Sequence, residues 1–317
     1  MGGMERCIHI CNESTEKMIS FLENDQIDKE EWDLCIKSSS NPLPYAYSWY
    51  LDRMAPGWSA LVDHNYRSVF PLPVRRKYGV SYIYIPPFMQ CLGLFSSEVP
   101  DEDMVREFME FIPEQYRFVD LSIINNPGDC GVRVTPRDNY RLNIRESYNA
   151  ISVAFSSDCR RNIVKAREKR QPISDDISPV EAIELFSNGP GRDISGIRRS
   201  DYDHLEKLIN YSLTAGVGKL VGVRIDGKLI YSLFYLVTPG QITLLFTSTS
   251  QISRELKTGY RVIDQIIHEY CGKQYQLDFA GSSITSVADF IKSFGAKQQK
   301  YYRIYKNNMS WPYRLLR

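Results

Sequence analysis

No apolar run in this 317-residue chain approaches the ~18 residues that a bilayer-spanning helix needs, and the first residues carry no signal-peptide pattern. The expectation is a soluble, cytoplasmic protein without a membrane span. Histidine is scarce, with four in the chain. His9, His64, His204 and His268 stand in unrelated contexts, the last two expected on helix surfaces, so no Ser-His-Asp order emerges. No nucleophile arrangement is assigned. The seven cysteines are odd in number and scattered, without the even spacing of a disulfide framework, which points to a reducing compartment. Cys7-Ile8-His9-Ile10-Cys11 lacks the second Cys/His pair that tetrahedral zinc requires, and no metal is assigned.

What the chain does have is enough length for two cores and 43% hydrophobic residues to fill them. Its net charge of +1 conceals an asymmetry. Residues 1–150 hold 15 Lys+Arg against 22 Asp+Glu, a net −7, while residues 151–317 hold 24 against 16, a net +8. A basic second half suits an anionic ligand such as a nucleotide cofactor or an RNA end, and solvated surface lysines would give the same excess. Residues 1–17 are polar and unpatterned and read as a poorly ordered N-terminal extension. Residues 18–150 and 151–317 read as two domains.

From residue 18 a first strand, Met18 to Leu22, leads to a helix marked by a capping box from Asp28 to Glu31 and a Trp32, Cys35, Ile36 stripe. Asn41-Pro42-Leu43-Pro44 breaks it. The aromatic cluster Tyr45, Tyr47, Trp49, Tyr50 that follows reads either as a packed loop or as the lining of a ligand groove. Short strands at 60–62, 69–74 and 81–85, the last two joined by a basic turn Arg75-Arg76-Lys77, make a meander. A helix over 101–112 and a strand over 118–123 complete the unit. The second half repeats the order. A hairpin turns at Asp226-Gly227, a strand runs from Gln241 to Thr247, a helix from Gly259 ends at Gly272, and a strand carries Asp278. Gln115 to Leu121 and Gln274 to Phe279 share their letters apart from one inserted residue, so the chain reads as two copies of one α+β unit.

Two stretches carry the chemistry. Six bases crowd the helix 157–170, with Ser157 as its cap and Cys159, Ile163 and Ala166 as a narrow buried stripe. This face either contacts an anionic ligand or RNA, through Arg160, Arg161 and Lys165, or is simply solvated. Further on, Tyr275, Leu277 and Phe279 alternate as a half-buried strand, Gly281-Ser282-Ser283 ends it, and a helix follows with Val287, Phe290, Ile291 and Phe294 on one face. Gly295 stands where a left-handed C-cap is wanted.

These motifs resemble a known family. Ser157-Asp158-Cys159-Arg160-Arg161-Asn162-Ile163-Val164-Lys165-Ala166 resembles the helix that opens the second half of the FemABX-like proteins, a branch of the Gcn5-related N-acyltransferases (GNAT). Asp278-Phe279-Ala280-Gly281-Ser282 and Phe290-Ile291-Lys292-Ser293-Phe294-Gly295-Ala296 are similar to the C-terminal signature of the same family. The resemblance covers about residues 150 to 306. It implies two tandem GNAT-like domains, each a mixed, mostly antiparallel sheet flanked by helices, and transfer of an acyl or aminoacyl group to an amine of a cell-envelope or small-molecule precursor. Lys292 is then the candidate for stabilising the oxyanion, with Ile291 intervening after Phe290, which turns it by about 100° along the helix. Asp278 either orients the acceptor amine or caps the loop amides of Ala280 to Ser283. Lys257, Thr258, Gly259 and Arg261 occupy the position where relatives cradle the pyrophosphate of acyl-CoA, one glycine of that pattern being kept. No tightly bound cofactor is expected, the donor is acyl-CoA or aminoacyl-tRNA, and DNA is not an expected partner. A non-catalytic scaffold, its groove filled by Tyr301, Tyr302 and Tyr305, is the alternative.

Overall fold

The N-cap expected at Asp28 forms, but the capping box does not close, because the Asp28 amide donates to the Tyr66 hydroxyl instead of to the Glu31 side chain. In the computed structural model the Asp28 carboxylate accepts from the Glu30 and Glu31 amides, and Trp32, Cys35 and Ile36 are buried along α1 (Lys29–Ser38). The structure describes residues 19–310, apart from Asp193, Ser195, Ser282 and Ser283, and only the backbone of His64. The leader over 1–17, with Cys7, Cys11 and His9, lies outside the described residues.

β1 (Ser20–Leu22), β2 (Ser59–Val62), β3 (Ser68–Leu72) and, after β4 (Val74–Lys77) and β5 (Val80–Tyr84), β6 (Phe95–Ser96) belong to the first half. Strands β1, β2, β3 and β6 form a four-stranded antiparallel sheet. The basic turn expected at Arg75-Arg76-Lys77 is a correction: these residues are strand β4, paired from Val74↔Ile83 to Lys77↔Val80. The reversal falls at Tyr78 and Gly79, both with positive φ. The aromatic cluster at 45–50 folds inward, with Tyr45 and Tyr50 buried, Tyr50 on α2 (Ser48–Met54).

The larger sheet has ten strands, in the order β4-β5-β7-β14-β8-β13-β12-β11-β10-β9. After α3 (Glu102–Glu110) come β7 (Phe118–Ile123) and β8 (Arg133–Asn143), then α4 (Tyr148–Val153), α5 (Ser157–Glu168), β9 (Ile173–Ser174), α6 (Pro179–Ser187) and α7 (Arg199–Thr214). The second meander is β10 (Gly218–Ile225), β11 (Lys228–Thr238) and β12 (Gln241–Thr249), followed by α8 (Gln251–Glu255), α9 (Thr258–Tyr270), β13 (Gln276–Asp278), α10 (Thr285–Lys292) and β14 (Lys297–Asn307). The N-cap of α5 is Ser156, one residue earlier than expected, its hydroxyl accepting from the Cys159 amide. The buried stripe Cys159, Ile163, Ala166 is as the spacing implied.

The two halves exchange strands. β14, the last strand of the second half, pairs with β7, while β8, from the first half, pairs with β13. At the centre β8 and β14 pair with each other over nine residues, from Lys297↔Arg141 to Tyr305↔Arg133. Neither strand is evident from hydrophobicity. Pro136 and a run of charged residues argue against β8, and β14 begins Lys-Gln-Gln-Lys; pairing, not apolarity, makes both extended.

Register then decides which side chains share a face. Thr135, Arg137, Asn139 and Arg141 of β8, Tyr301 and Arg303 of β14, Asp120 and Ser122 of β7, and Asp278 of β13 all fall on one side. Tyr140 and Leu142 face the other way, into a core with Leu277, Ile263, Ile267 and Phe294 beneath α5, α9 and α10. On the polar side, α6 and α7 pack with Phe234 and Phe246 into a core continuous with the first half. Phe88, held at positive φ, joins the halves through ring contacts with Phe186, Tyr202 and Phe246.

Candidate functional site

The Asp278 carboxylate ends β13 at 1% exposure. It accepts from the Asn139 amide at 3.1 Å, from Arg141 Nε at 2.7 Å and from the Ala280 amide at 2.8 Å. Burying a charge this deeply is tolerated only with a counter-charge and satisfied lone pairs, and β8 supplies both from the facing register position. The loop-capping expectation for Asp278 is therefore met at Ala280, while the arginine partner was not foreseen. The repeated Asp120 is built alike: Arg303 binds it through two hydrogen bonds of 2.6 Å. Arg137 lies on the same face of the sheet and makes no ion pair among the described residues.

Between these pairs the polar face is hollow. A cavity of about 610 Å³ is lined by Asp120, Arg137, Tyr301 and Arg303 from the sheet and by Tyr45 and Gln90 from the first half. Tyr301 forms part of its wall rather than filling it, Tyr302 lies on the opposite face, and Tyr305 packs on Phe118. Leu245 and Ala280 also reach this wall, and both mark a break in the sheet. β12 and β13 run parallel only from Gln241↔Gln276 to Thr243↔Asp278. There β13 ends, and Ala280 and Gly281 turn away with positive φ. β12 continues to Thr249, bulged at Leu245, because Phe234 opposes Phe246 while Tyr235 opposes Leu244. A bulge bends its strand, so the sheet opens beside the cavity.

Gly281 is needed at this opening. A Cβ there would lie 2.6 Å from the Asp138 carbonyl oxygen and 2.6 Å from Gln90 Nε2, on a residue with φ of +60°. Gly281→Ala is expected to destabilise the protein by roughly 1–3 kcal/mol through backbone strain and collision, measured by urea denaturation; an unchanged midpoint would contradict this geometry.

The other sequence candidates are dispersed. Lys292 is exposed and rests over the Tyr140 ring at 5.5 Å, on the face of the sheet opposite Asp278. The α9 start has Lys257 at φ 58° as its N-cap, and Thr258 is buried with its hydroxyl 3.4 Å from Gln171 Oε1. A Cβ on Gly259 would meet Phe290 and Tyr231 at ordinary contact distance. Arg261 holds a buried Nη1 without a hydrogen-bond partner, and burial, with Arg167 next, lowers its pKa. On α5, Arg160 donates to the Ser152, Val153 and Phe155 carbonyls and so closes the end of α4; Arg161 pairs with Asp158 at 2.7 Å on the surface. Lys165 is exposed. Arg167 is committed to Asp264, which also accepts from the Tyr148 hydroxyl at 2.5 Å.

Reading from sequence missed Asn139, Arg141, Arg137 and Gln90. The signal for the first three was the polar alternation Thr135, Arg137, Asn139, Arg141, which becomes visible once β8 is taken as a strand with its polar side inward. Among the described residues no group of three or more His, Cys, Asp or Glu side chains gathers as metal ligands would, and no helix is long and apolar enough to cross a membrane.

No family model and no curated protein sequence matches this chain. Its fold is similar to that of FemX, at 11% identity and a TM-score of 0.66 over 92% of this chain and 98% of the other. It is also similar to L-PGS from Bacillus licheniformis, at 11% identity and a TM-score of 0.52 over 91% and 95%. A tandem GNAT protein from the clavulanic acid biosynthesis pathway matches at 11% identity and a TM-score of 0.54 over 92% and 100%. The chain has the α+β, tandem GNAT architecture of these structures.

Proposed function

We propose that this chain, with the tandem fold it shares with FemX, forms an amide by moving an acyl or aminoacyl group onto an amine held in the cavity between its halves. The observation that carries the reading is the opening of the sheet at Leu245 and Ala280 directly onto a cavity walled by Asp120, Arg137 and Tyr301. A donor carbonyl threading that opening meets the acceptor amine without either crossing a paired strand. Asp278 keeps Arg141 and the Ala280 turn in place at the junction. The donor, acyl-CoA or aminoacyl-tRNA, lies on the opposite side, along the α9 start at Lys257, Thr258, Gly259 and Arg261, and Lys292, over the Tyr140 ring, is exposed on that same side of the sheet. Arg160, Arg161 and Lys165 extend a basic surface for an anionic donor. The acceptor is a small-molecule or cell-wall-precursor amine.

The test offers the full-length protein acetyl-CoA, a longer acyl-CoA and charged tRNA, each with a panel of free and peptide-borne amines, and reads new amides by mass spectrometry. Product with acyl-CoA, and acyl-CoA affinity weakened by Lys257→Ala, identify a CoA-dependent enzyme. Product with charged tRNA alone identifies an aminoacyl transferase. No product from either donor rejects the transferase reading in favour of a binding protein. One observation favours that second reading: α8 occupies the connection before α9, and Thr258 is buried there rather than exposed to a phosphate.

A further inference from the structure

The four central strands β7, β14, β8 and β13 carry three carboxylates, and each has a cation of its own. Asp120 is held by Arg303 through two hydrogen bonds, Asp278 by Arg141, and Asp138, which faces the other side of the sheet, by Lys300. Arg137 is left over. Its side chain makes no hydrogen bond and no ion pair among the described residues, yet it is half-buried in the wall of the 610 Å³ cavity. The charged residues of that wall are Asp120, Arg137 and Arg303, and since the first and last neutralise each other, Arg137 decides the sign of the cavity. A guanidinium drawn partly out of water without a counter-charge loses hydration and recovers nothing in return. Its rigid fork matches two oxygens of a carboxylate or a phosphate. The position agrees: β13 makes its last pair at Asp278↔Arg141, and Arg137 stands on β8 past that point, with Tyr301 directly opposite it on β14 and lining the same space.

We propose that Arg137 seats an oxyanion of the acceptor, a carboxylate or a phosphate, so that the substrates of this chain are amines that also carry a negative group. This rests on the transferase reading above and narrows it. The acceptor lies in the cavity with its anion on Arg137 and its amine toward the break in the sheet at Leu245 and Ala280. A plain alkylamine, positive at neutral pH, is disfavoured twice, because it brings a further positive charge beside Arg137 and leaves the guanidinium unpaired. Asp120 does not take the place of the missing anion, since Arg303 holds both of its oxygens.

The test measures amide formation by the full-length protein with two matched pairs of acceptors, 4-aminobutyrate against 4-aminobutyramide and phosphoethanolamine against ethanolamine. In at least one pair the anionic member is expected to have the higher kcat/KM by about 10- to 100-fold, the range of a charge-assisted hydrogen bond. The pair that shows the preference tells carboxylate from phosphate. Arg137→Gln is expected to reduce that ratio about tenfold or more, and Arg137→Lys, a point charge without the fork, to keep part of it. The thermal midpoint of Arg137→Gln is expected to hold or to rise, because a guanidinium without a counter-charge is removed. A merely structural role predicts a lower midpoint and an unchanged ratio. An active wild type with less than about a tenfold preference in both pairs, or an Arg137→Gln variant that keeps the wild-type ratio, overturns the seat and leaves the transferase standing. A wild type that turns over no donor overturns the transferase, and saturation-transfer NMR with 4-aminobutyrate and phosphoethanolamine then judges the seat alone. A signal in wild type that is lost in Arg137→Gln upholds it; equal signals from both proteins, or none from either, reject it.

Discussion

Asp278→Ala is expected to lower the folding free energy by about 3–5 kcal/mol, because it leaves the Arg141 guanidinium buried without its counter-charge. The side chain of Arg141 is 14% exposed and that of Asp278 1%, so water cannot take over the lost interaction without opening the sheet between β8 and β13. The Asn139 amide and the Ala280 backbone N–H lose their acceptor in the same step. Much of the cost is the stranded charge rather than the worth of the pair. The double variant Asp278→Leu/Arg141→Met is therefore expected to be more stable than Asp278→Ala, since it removes both ions and refills the volume. Urea denaturation of the set measures this. A loss below about 1 kcal/mol in Asp278→Ala would mean that the ion pair is solvated and that β13 does not end as described. Amide formation should fall in Asp278→Ala as well, because the Ala280 turn forms the cavity wall.

Phe294→Ala carries the second large effect, about 3–5 kcal/mol. Phe294 is fully buried and is the hub of the core beneath α10, with ring centroids of Phe155 and Phe290 at 5.4 Å, Tyr260 at 5.7 Å and Phe279 at 6.3 Å. Truncation opens a void among rings that belong to α9, α10, the segment before α5 and the residue after β13, none of which can close it alone. Lys292 belongs to the same stretch but is exposed, and Lys292→Ala should change stability by less than about 0.5 kcal/mol. The contrast separates two places within one motif: its aromatic residues seat the helix, while its lysine is exposed over the Tyr140 ring. Similar losses in both variants would show that α10 is held by something other than this cluster. Gly295 seals the arrangement as the expected left-handed cap, with φ of +76° and its Cα so close to Ala154 that a Cβ would approach within 2.7 Å.

Local signals settled a good part of the fold before any contact was known. The N-cap at Asp28, the α5 stripe, the Asp226-Gly227 hairpin, the left-handed Gly295 and the Asp278 strand all follow from period and turn chemistry, which act within a few residues. So does the likeness between the Asp120 and Asp278 strands, and both carboxylates prove to hold an arginine on one face of one sheet. Tertiary structure alone decided who meets whom. Asp278 and Arg141 are 137 residues apart, and whether they share a face depends on the parity of the β8–β13 register, which a one-residue slip would invert. The same parity puts Lys292 across the sheet from Asp278, although both stand in adjoining motifs. β8 and β14 are strands because each supplies the other's hydrogen bonds at the centre of the sheet, a reason no local pattern contains. Tyr45, which the sequence left as either a packed loop residue or a groove lining, is 1% exposed in the fold; burial is a property of the whole assembly, not of the segment.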